Sequence, residues 1–130
     1  MKTELLYLAL VTIFTGLMWV PYVLDRIAVG GLIEAVGYPA NPKPQSLWAQ
    51  RLKKAHANAV ENLVVFAALI LTAQALGIAS AVVGSAAVAY FWARVVHAAA
   101  FALAVPWVRT LAFTVGFLAQ AVVAWQILGR

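Results

Sequence analysis

Uncharged stretches alternate with short charged clusters along this chain, and that alternation sets the predicted elements. Residues 5–24 (LLYLALVTIFTGLMWVPYVL) carry no charge. About 20 apolar residues cross a bilayer core as helix, so the pattern predicts a first helix over about 4–26, with Pro21 kinking it or marking its last turns. Asp25 and Arg26 close that span. The stretch Gly30–Gln45 holds Pro39, Pro42 and Pro44, which forbid a regular helix there, and Ser46 is placed to cap the second helix. From Leu47 the periodicity is helical, polar at first and apolar after Asn62. The uncharged run Asn62–Ala93 is too long for one crossing, and Gln74, Gly77 and Ser80 divide it. The predicted helices are therefore about 4–26, 47–77, 80–104 and, beyond the turn at Pro106, 107–129. A membrane barrel would need strand-like alternation, which the sequence lacks. Glu4 and the absence of a small-x-small site argue against a cleaved leader.

Composition turns this pattern into a class. Of 130 residues, 65% are hydrophobic, 10% are charged and none is cysteine. A soluble domain carries about 25% charged residues, and so short a chain could not hide this much apolar surface from water. The reading is an all-α integral membrane protein, a four-transmembrane-helix bundle forming one domain over 1–130. The missing cysteines exclude thiolate catalysis by the chain itself, Cys-based zinc sites and disulfides.

The net charge of +5 reads as topology rather than as a nucleic-acid footprint, and no nucleic-acid partner is expected. Arg26, Lys43, Arg51, Lys53 and Lys54 flank the first loop and Arg109 follows the Pro106 turn, against Lys2 and Arg130 at the termini. The positive-inside rule puts the loop and the turn in the cytoplasm and both termini on the non-cytoplasmic side. The expected place is a multi-pass position in an inner or cytoplasmic membrane, with the lipid bilayer as the first partner.

In so apolar a chain the informative residues are polar ones at depth. At 100° per residue, Arg51, Lys54, Asn58, Glu61 and Asn62 share one face of the second helix. Tyr90, Arg94, His97 and Phe101 form a stripe on the third, and Arg109, Phe113, Gly116 and Gln120 one on the fourth. Glu61 falls roughly 6 Å inside the membrane boundary and Arg94 on the order of 15 Å. A charge near mid-bilayer costs about 2.5–3.5 kcal/mol even on the lenient insertion scale, so these groups are expected to face one another or a wet cavity. The pattern predicts that Glu61 pairs with Arg94 and that Arg51, Lys54 and Arg109 rim a cationic pocket suited to an anionic ligand with an apolar co-substrate. A purely structural Glu61–Arg94 pair is the competing reading. Lys53 points off the stripe and reads as a topology determinant. His56, also off it, reads as a packing or interfacial residue. His97 lies on the stripe but suits a hydrogen-bonded packing role. Two histidines without a paired carboxylate motif make no metal site.

The run Arg51-Leu-Lys-Lys54-Ala-His56-Ala-Asn58-Ala-Val-Glu61-Asn62, followed by Phe66, resembles the second-helix signature of the MAPEG family, the membrane-associated proteins in eicosanoid and glutathione metabolism. Arg94-Val-Val-His97, Pro106 with Arg109, and Gln126-Ile127-Leu128 extend the likeness over the last three helices. The resemblance implies a bundle assembled as a homotrimer, with glutathione as co-substrate between neighbouring subunits. By matched position it implies that Asn58 and Glu61 hold the peptide's polar groups and that Arg94 and Arg26 meet its carboxylates. Arg51, Lys54 and His97 complete the binding set. Arg109 would lie beside the sulfur as the catalytic residue, since a nearby cation favours the thiolate. The implied activity is that of a transferase or peroxidase acting on a small lipophilic electrophile, reached along a groove between the first and fourth helices. The chain departs from the pattern at Phe101 and Phe113, where members commonly place tyrosines, and at Ala57, where some carry a base. A non-catalytic family member binding another anionic amphiphile is the alternative. A small ion-coupled transporter is a third reading, disfavoured because the spans lack discontinuous helices.

Overall fold

The computed structural model describes residues 1–129, all of whose regular elements are helices. In chain order they are α1 (Thr3–Leu17), α2 (Trp19–Gly30), α3 (Leu32–Val36), α4 (Leu47–Ala75), α5 (Ala81–Ala102) and α6 (Val108–Leu128). Four helical stretches are long and apolar enough to cross a membrane: Thr3–Gly30 (α1 with α2), Leu47–Ala75, Ala81–Ala102 and Val108–Leu128. The architecture is that of a multi-pass integral membrane protein.

The first span breaks at Met18, one turn before the expected Pro21, and proline chemistry explains the offset. Pro21 has no N–H to give the carbonyl of Leu17 and its ring crowds that carbonyl. Met18 instead donates to Thr15 O at 3.3 Å, a tightened turn. Thr15 Oγ1 donates back to Val11 O at 2.7 Å, a contact that also bends helices. Asp25 and Arg26 do not end the helix, which continues to Gly30. The five-residue α3 lies ahead of the three prolines, so the segment expected to be wholly loop begins with a helical turn.

α4 ends in a Schellman arrangement, with Ile78 N–H on Ala73 O at 3.0 Å and Gly77 N–H on Gln74 O at 3.1 Å. Gly77, at φ 70°, supplies the left-handed residue the motif needs. Ser80 then caps α5, its Oγ accepting from Val82 N–H at 3.1 Å. The same end of the bundle holds the N-terminus, where Lys2 Nζ donates to Gln74 Oε1 at 3.4 Å. Gln126 near the end of α6 meets Ser80 Oγ there at 3.1 Å.

α5 is the central helix and packs against α1, α4 and α6. Its Val83, Ala87 and Tyr90 join Val11, Phe66, Ile70 and Val123 in the main core. The Tyr90 and Phe66 rings stack with centroids 3.8 Å apart and planes at 9°. The outer surface is apolar: Ile13, Leu17, Leu24, Trp92, Phe117, Leu118 and Trp125 are exposed. A soluble protein would not leave such a surface in water, whereas acyl chains or further protein cover it without cost.

Candidate functional site

The polar stripe of α5 turns inward. Arg94 and His97 are each 3% exposed and Tyr90 1%. Glycine at 116 on α6 makes room for them: a Cβ there would touch Arg94 Cδ and Tyr90 Cδ2 at 3.8 Å. Arg94 Nη2 donates to Asn58 Oδ1 at 2.7 Å. The expected Glu61–Arg94 pair is thus replaced by a charge–amide bond, and Glu61 lies exposed on the outer face of α4. The reason is angular. Asn58 and Asn62 occupy the side of α4 that faces α5 and α6, while Lys54 and Glu61 sit at the outer edge of the same stripe.

Asn62 ties this layer together. Its Nδ2 donates to Asn58 O at 2.9 Å, and its own carbonyl accepts from Gln120 Nε2 at 3.1 Å. The Tyr90 hydroxyl, Arg94 Nε and His97 Nδ1 are buried and find no partner among the described residues. Buried polar groups ordinarily have one, so this layer retains hydrogen-bonding capacity.

A second cluster lies at the basic end. Arg51 Nε donates to Ala102 O at 2.9 Å, capping an end carbonyl of α5, where a cation also complements the helix dipole. The Arg109 guanidinium carbon stands 4.7 Å from the Phe101 ring centroid, within cation–π range. Arg51, Phe101, Pro106 and Arg109 share a cavity of about 240 Å³. His97 lies behind it, edge-on to Phe101 at 5.7 Å and tilted to Phe113 at 6.2 Å. Arg109 is exposed, so its own chain leaves part of the guanidinium open to a ligand.

The turn that presents Arg109 has an unusual backbone. α5 ends like α4, with Val105 N–H on Ala100 O at 2.9 Å and Ala104 N–H on Phe101 O at 3.2 Å. Here the left-handed residue is Ala104, at φ 56°. Trp107 follows Pro106 at φ 67°, ψ −46°, and Val108 N–H reaches Pro106 O at 2.7 Å. That is a γ-turn of the rare positive-φ kind. Non-glycine residues in such regions cost of order 1–3 kcal/mol each.

The remaining expected residues lie apart. Arg26 donates to Gln45 Oε1 at 3.1 Å and Lys43 O at 3.4 Å and lines a loop cavity with Glu34, Tyr38 and Pro42. Lys54 is exposed. A single cleft holding Glu61, Arg94 and Arg109 is therefore not formed within one chain. Arg94 with Asn58 is internal, Arg51 with Arg109 is terminal, and Glu61 faces outward. Apolar grooves of about 350 and 400 Å³ lie between α5 and α6. The apolar groove beside the first span, about 300 Å³, runs from Phe14, Met18 and Pro21 to Leu52, Ala98 and Ala102, on α1, α2, α4 and α5.

One polar clamp has no counterpart among the sequence expectations. Asp25, 8% exposed, accepts from the Ser46 hydroxyl, from Ser46 N–H at 3.0 Å and from Gln45 Nε2 at 3.3 Å. Ser46 thus begins α4 but spends its hydroxyl on Asp25 and makes no side-chain cap. Gln45 Nε2 also donates to Tyr22 O at 2.6 Å, and the Tyr22 hydroxyl meets His56 Nδ1 at 2.8 Å. A Ser-rich or acidic motif would have flagged this clamp; single residues 21 positions apart give no such signal.

Four apolar spans around a buried guanidinium–amide pair, with two further guanidiniums at one end, define a multi-pass membrane bundle built for polar contact within the bilayer. The sequence profile of the MAPEG family matches residues 5–129. The chain belongs to this family of membrane-associated proteins in eicosanoid and glutathione metabolism. No curated protein and no solved structure matches it.

Proposed function

We propose that the chain is a membrane-embedded glutathione-dependent transferase or peroxidase, acting on a lipophilic electrophile at sites between copies of itself in a homotrimer. The observation that carries this is Glu61. It lies on a membrane-spanning helix, exposed, one turn from the Asn58 that holds Arg94. A charge left to acyl chains costs up to about 2.5–3.5 kcal/mol at a helix centre. A second copy bringing a polar surface against α4 removes that cost and encloses a cleft lined by Glu61, Asn58 and Lys54.

Glutathione suits such a cleft. Its ammonium answers Glu61 and its carboxylates answer the guanidinium and ammonium groups at the basic end. Arg109, held over Phe101, stabilises the thiolate, since a nearby cation favours the charged form. The thiol proton leaves to water. With an aryl halide the sulfur–carbon bond forms, the carbon–halogen bond breaks, and halide departs with the bonding pair. Arg94 and His97 set the floor of the cleft rather than meeting the sulfur. Arg26, bound to the loop, joins only if Gln45 releases it.

A second reading, a non-catalytic protein binding another anionic amphiphile, draws on Phe101 and Phe113. Neither ring donates a hydrogen bond to a thiolate, so activation rests on Arg109 alone. Two measurements separate the readings. The wild type in detergent should bind glutathione saturably at millimolar concentration and conjugate a generic aryl halide. Arg109→Ala should lower turnover about 10²–10³-fold, the usual effect of removing one charge-stabilising group, with the oligomer intact. Unchanged turnover removes Arg109 from the mechanism, and no saturable binding favours the second reading.

A further inference from the structure

The described chain has four residues at positive φ: Gly31, Gly77, Ala104 and Trp107. Two are glycine, as sterics favour. The other two flank Pro106, in the five-residue link between α5 and α6. Ala104 is held by a Schellman pair of hydrogen bonds, so its conformation follows from how α5 ends. Trp107 is held by the single γ-turn bond from Val108 N–H to Pro106 O at 2.7 Å. It is 77% exposed, so the protomer's interior does not require an indole there, and a glycine would meet the same φ freely.

What a large side chain provides here is restriction. Pro106 has its φ locked by its ring. Trp107, at φ 67° and ψ −46°, sits in the narrow, strained γ-turn conformation, which leaves a bulky residue little room to rotate. Two successive residues with almost no rotational freedom make a rigid joint, and Trp107 O accepts from Leu111 N–H at 2.8 Å to start α6. Arg109 is two residues beyond the joint. On the other side, Phe101 is fixed by the end of α5, whose Ala102 carbonyl is held by Arg51. The 4.7 Å placement of the guanidinium over Phe101 is therefore spanned by a link with little slack. The exposed indole, beside exposed Leu103 and Leu111, also suits the bilayer interface, where tryptophan collects. That contact opposes a flip of the joint into a relaxed conformation.

We infer that Trp107 is a positioning residue: its positive-φ γ-turn after Pro106 aims Arg109 across Phe101 towards the sulfur. This rests on the reading of Arg109 as the partner of the thiolate. The test compares the wild type with Trp107→Gly, Trp107→Phe and Pro106→Ala, all as full chains in lipid nanodiscs. The first readout needs no glutathione. The Arg109 Nε–Hε magnetic resonance signal carries the ring-current shift of Phe101. It should keep that shift in W107F, which stays restricted, and lose it in W107G and P106A, which free the joint. Should one of the loosened variants fail to fold, the other still decides. The second readout is kinetic. W107G should lower kcat roughly tenfold to a hundredfold, the scale of a misplacement near 1 Å, with KM for glutathione unchanged. A W107G or P106A protein whose Arg109 signal and kcat match the wild type overturns the inference. Absence of turnover in the wild type would instead refute the transferase reading, and the resonance comparison would still decide whether Trp107 positions Arg109.

Discussion

Asn58→Ala tests the internal layer most sharply. Arg94 is 3% exposed and lies at membrane depth, and its Nη2–Asn58 Oδ1 bond at 2.7 Å is short enough to be charge-assisted. A hydrogen bond to a charged group contributes about 1.5–3 kcal/mol net. The neighbouring contact survives the change, because Asn62 Nδ2 keeps Asn58 O at 2.9 Å. Asn58→Ala should therefore destabilise the protomer by about 2 kcal/mol, roughly a thirtyfold change in the unfolding equilibrium. Asn58→Asp, which keeps an acceptor and adds a countercharge, should restore most of it. Glu61→Ala should not destabilise the protomer, because Arg94 takes the Asn58 amide rather than the carboxylate. The assay is chaotrope unfolding in detergent micelles, followed by the circular dichroism of the helices. A Glu61→Ala cost equal to that of Asn58→Ala would mean that Arg94 draws on the carboxylate, and a failure of Asn58→Asp to rescue would mean that the bond to residue 58 does not hold Arg94.

The packing sets three further outcomes. Gly116→Ala places a methyl in ordinary contact with Arg94 and Tyr90 and gains up to about 1 kcal/mol of helix propensity, whereas Gly116→Leu should overpack by about 1–3 kcal/mol; equal melting temperatures for the two would contradict the close approach. Phe66→Ala removes a fully buried ring stacked on Tyr90 and should cost about 3–5 kcal/mol in the same unfolding assay; a loss below about 1 kcal/mol would mean the core does not rest on that stack. Asp25→Ala removes the acceptor for three bonds from Gln45 and Ser46, so limited proteolysis within residues 31–45 should accelerate, and an unchanged cleavage rate would show the loop is held by something else.

Much of this architecture is legible in the chain because membrane depth punishes polar groups and makes the survivors conspicuous. The charge-free runs mark the four spans, and the Tyr90–Arg94–His97 stripe is buried as its periodicity implies. What escapes is pairwise choice. A helical wheel puts Asn58 and Glu61 on one face of α4, and only the packing of α5 against its inner edge decides that Arg94 takes the amide. The same wheel groups Arg109 with Gly116 and Gln120, yet Arg109 is exposed while the other two are buried, because Arg109 stands in the first turn of α6 at the end of the bundle. The break at Met18 is offset from Pro21 by one turn because a proline acts on the carbonyl four residues earlier. The positive-φ turn at Trp107 leaves no mark at all, since sequence rules look for glycine in that conformation.

On the proposed function, Arg109 at the basic end lowers the pKa of a bound thiol. The ultraviolet absorbance of the glutathione thiolate, recorded against pH for the wild type and for Arg109→Ala with ligand saturating, tests it directly. The thiol should titrate below its free value in the wild type and return to that value in Arg109→Ala. Identical titration curves at the free value in both proteins would contradict it.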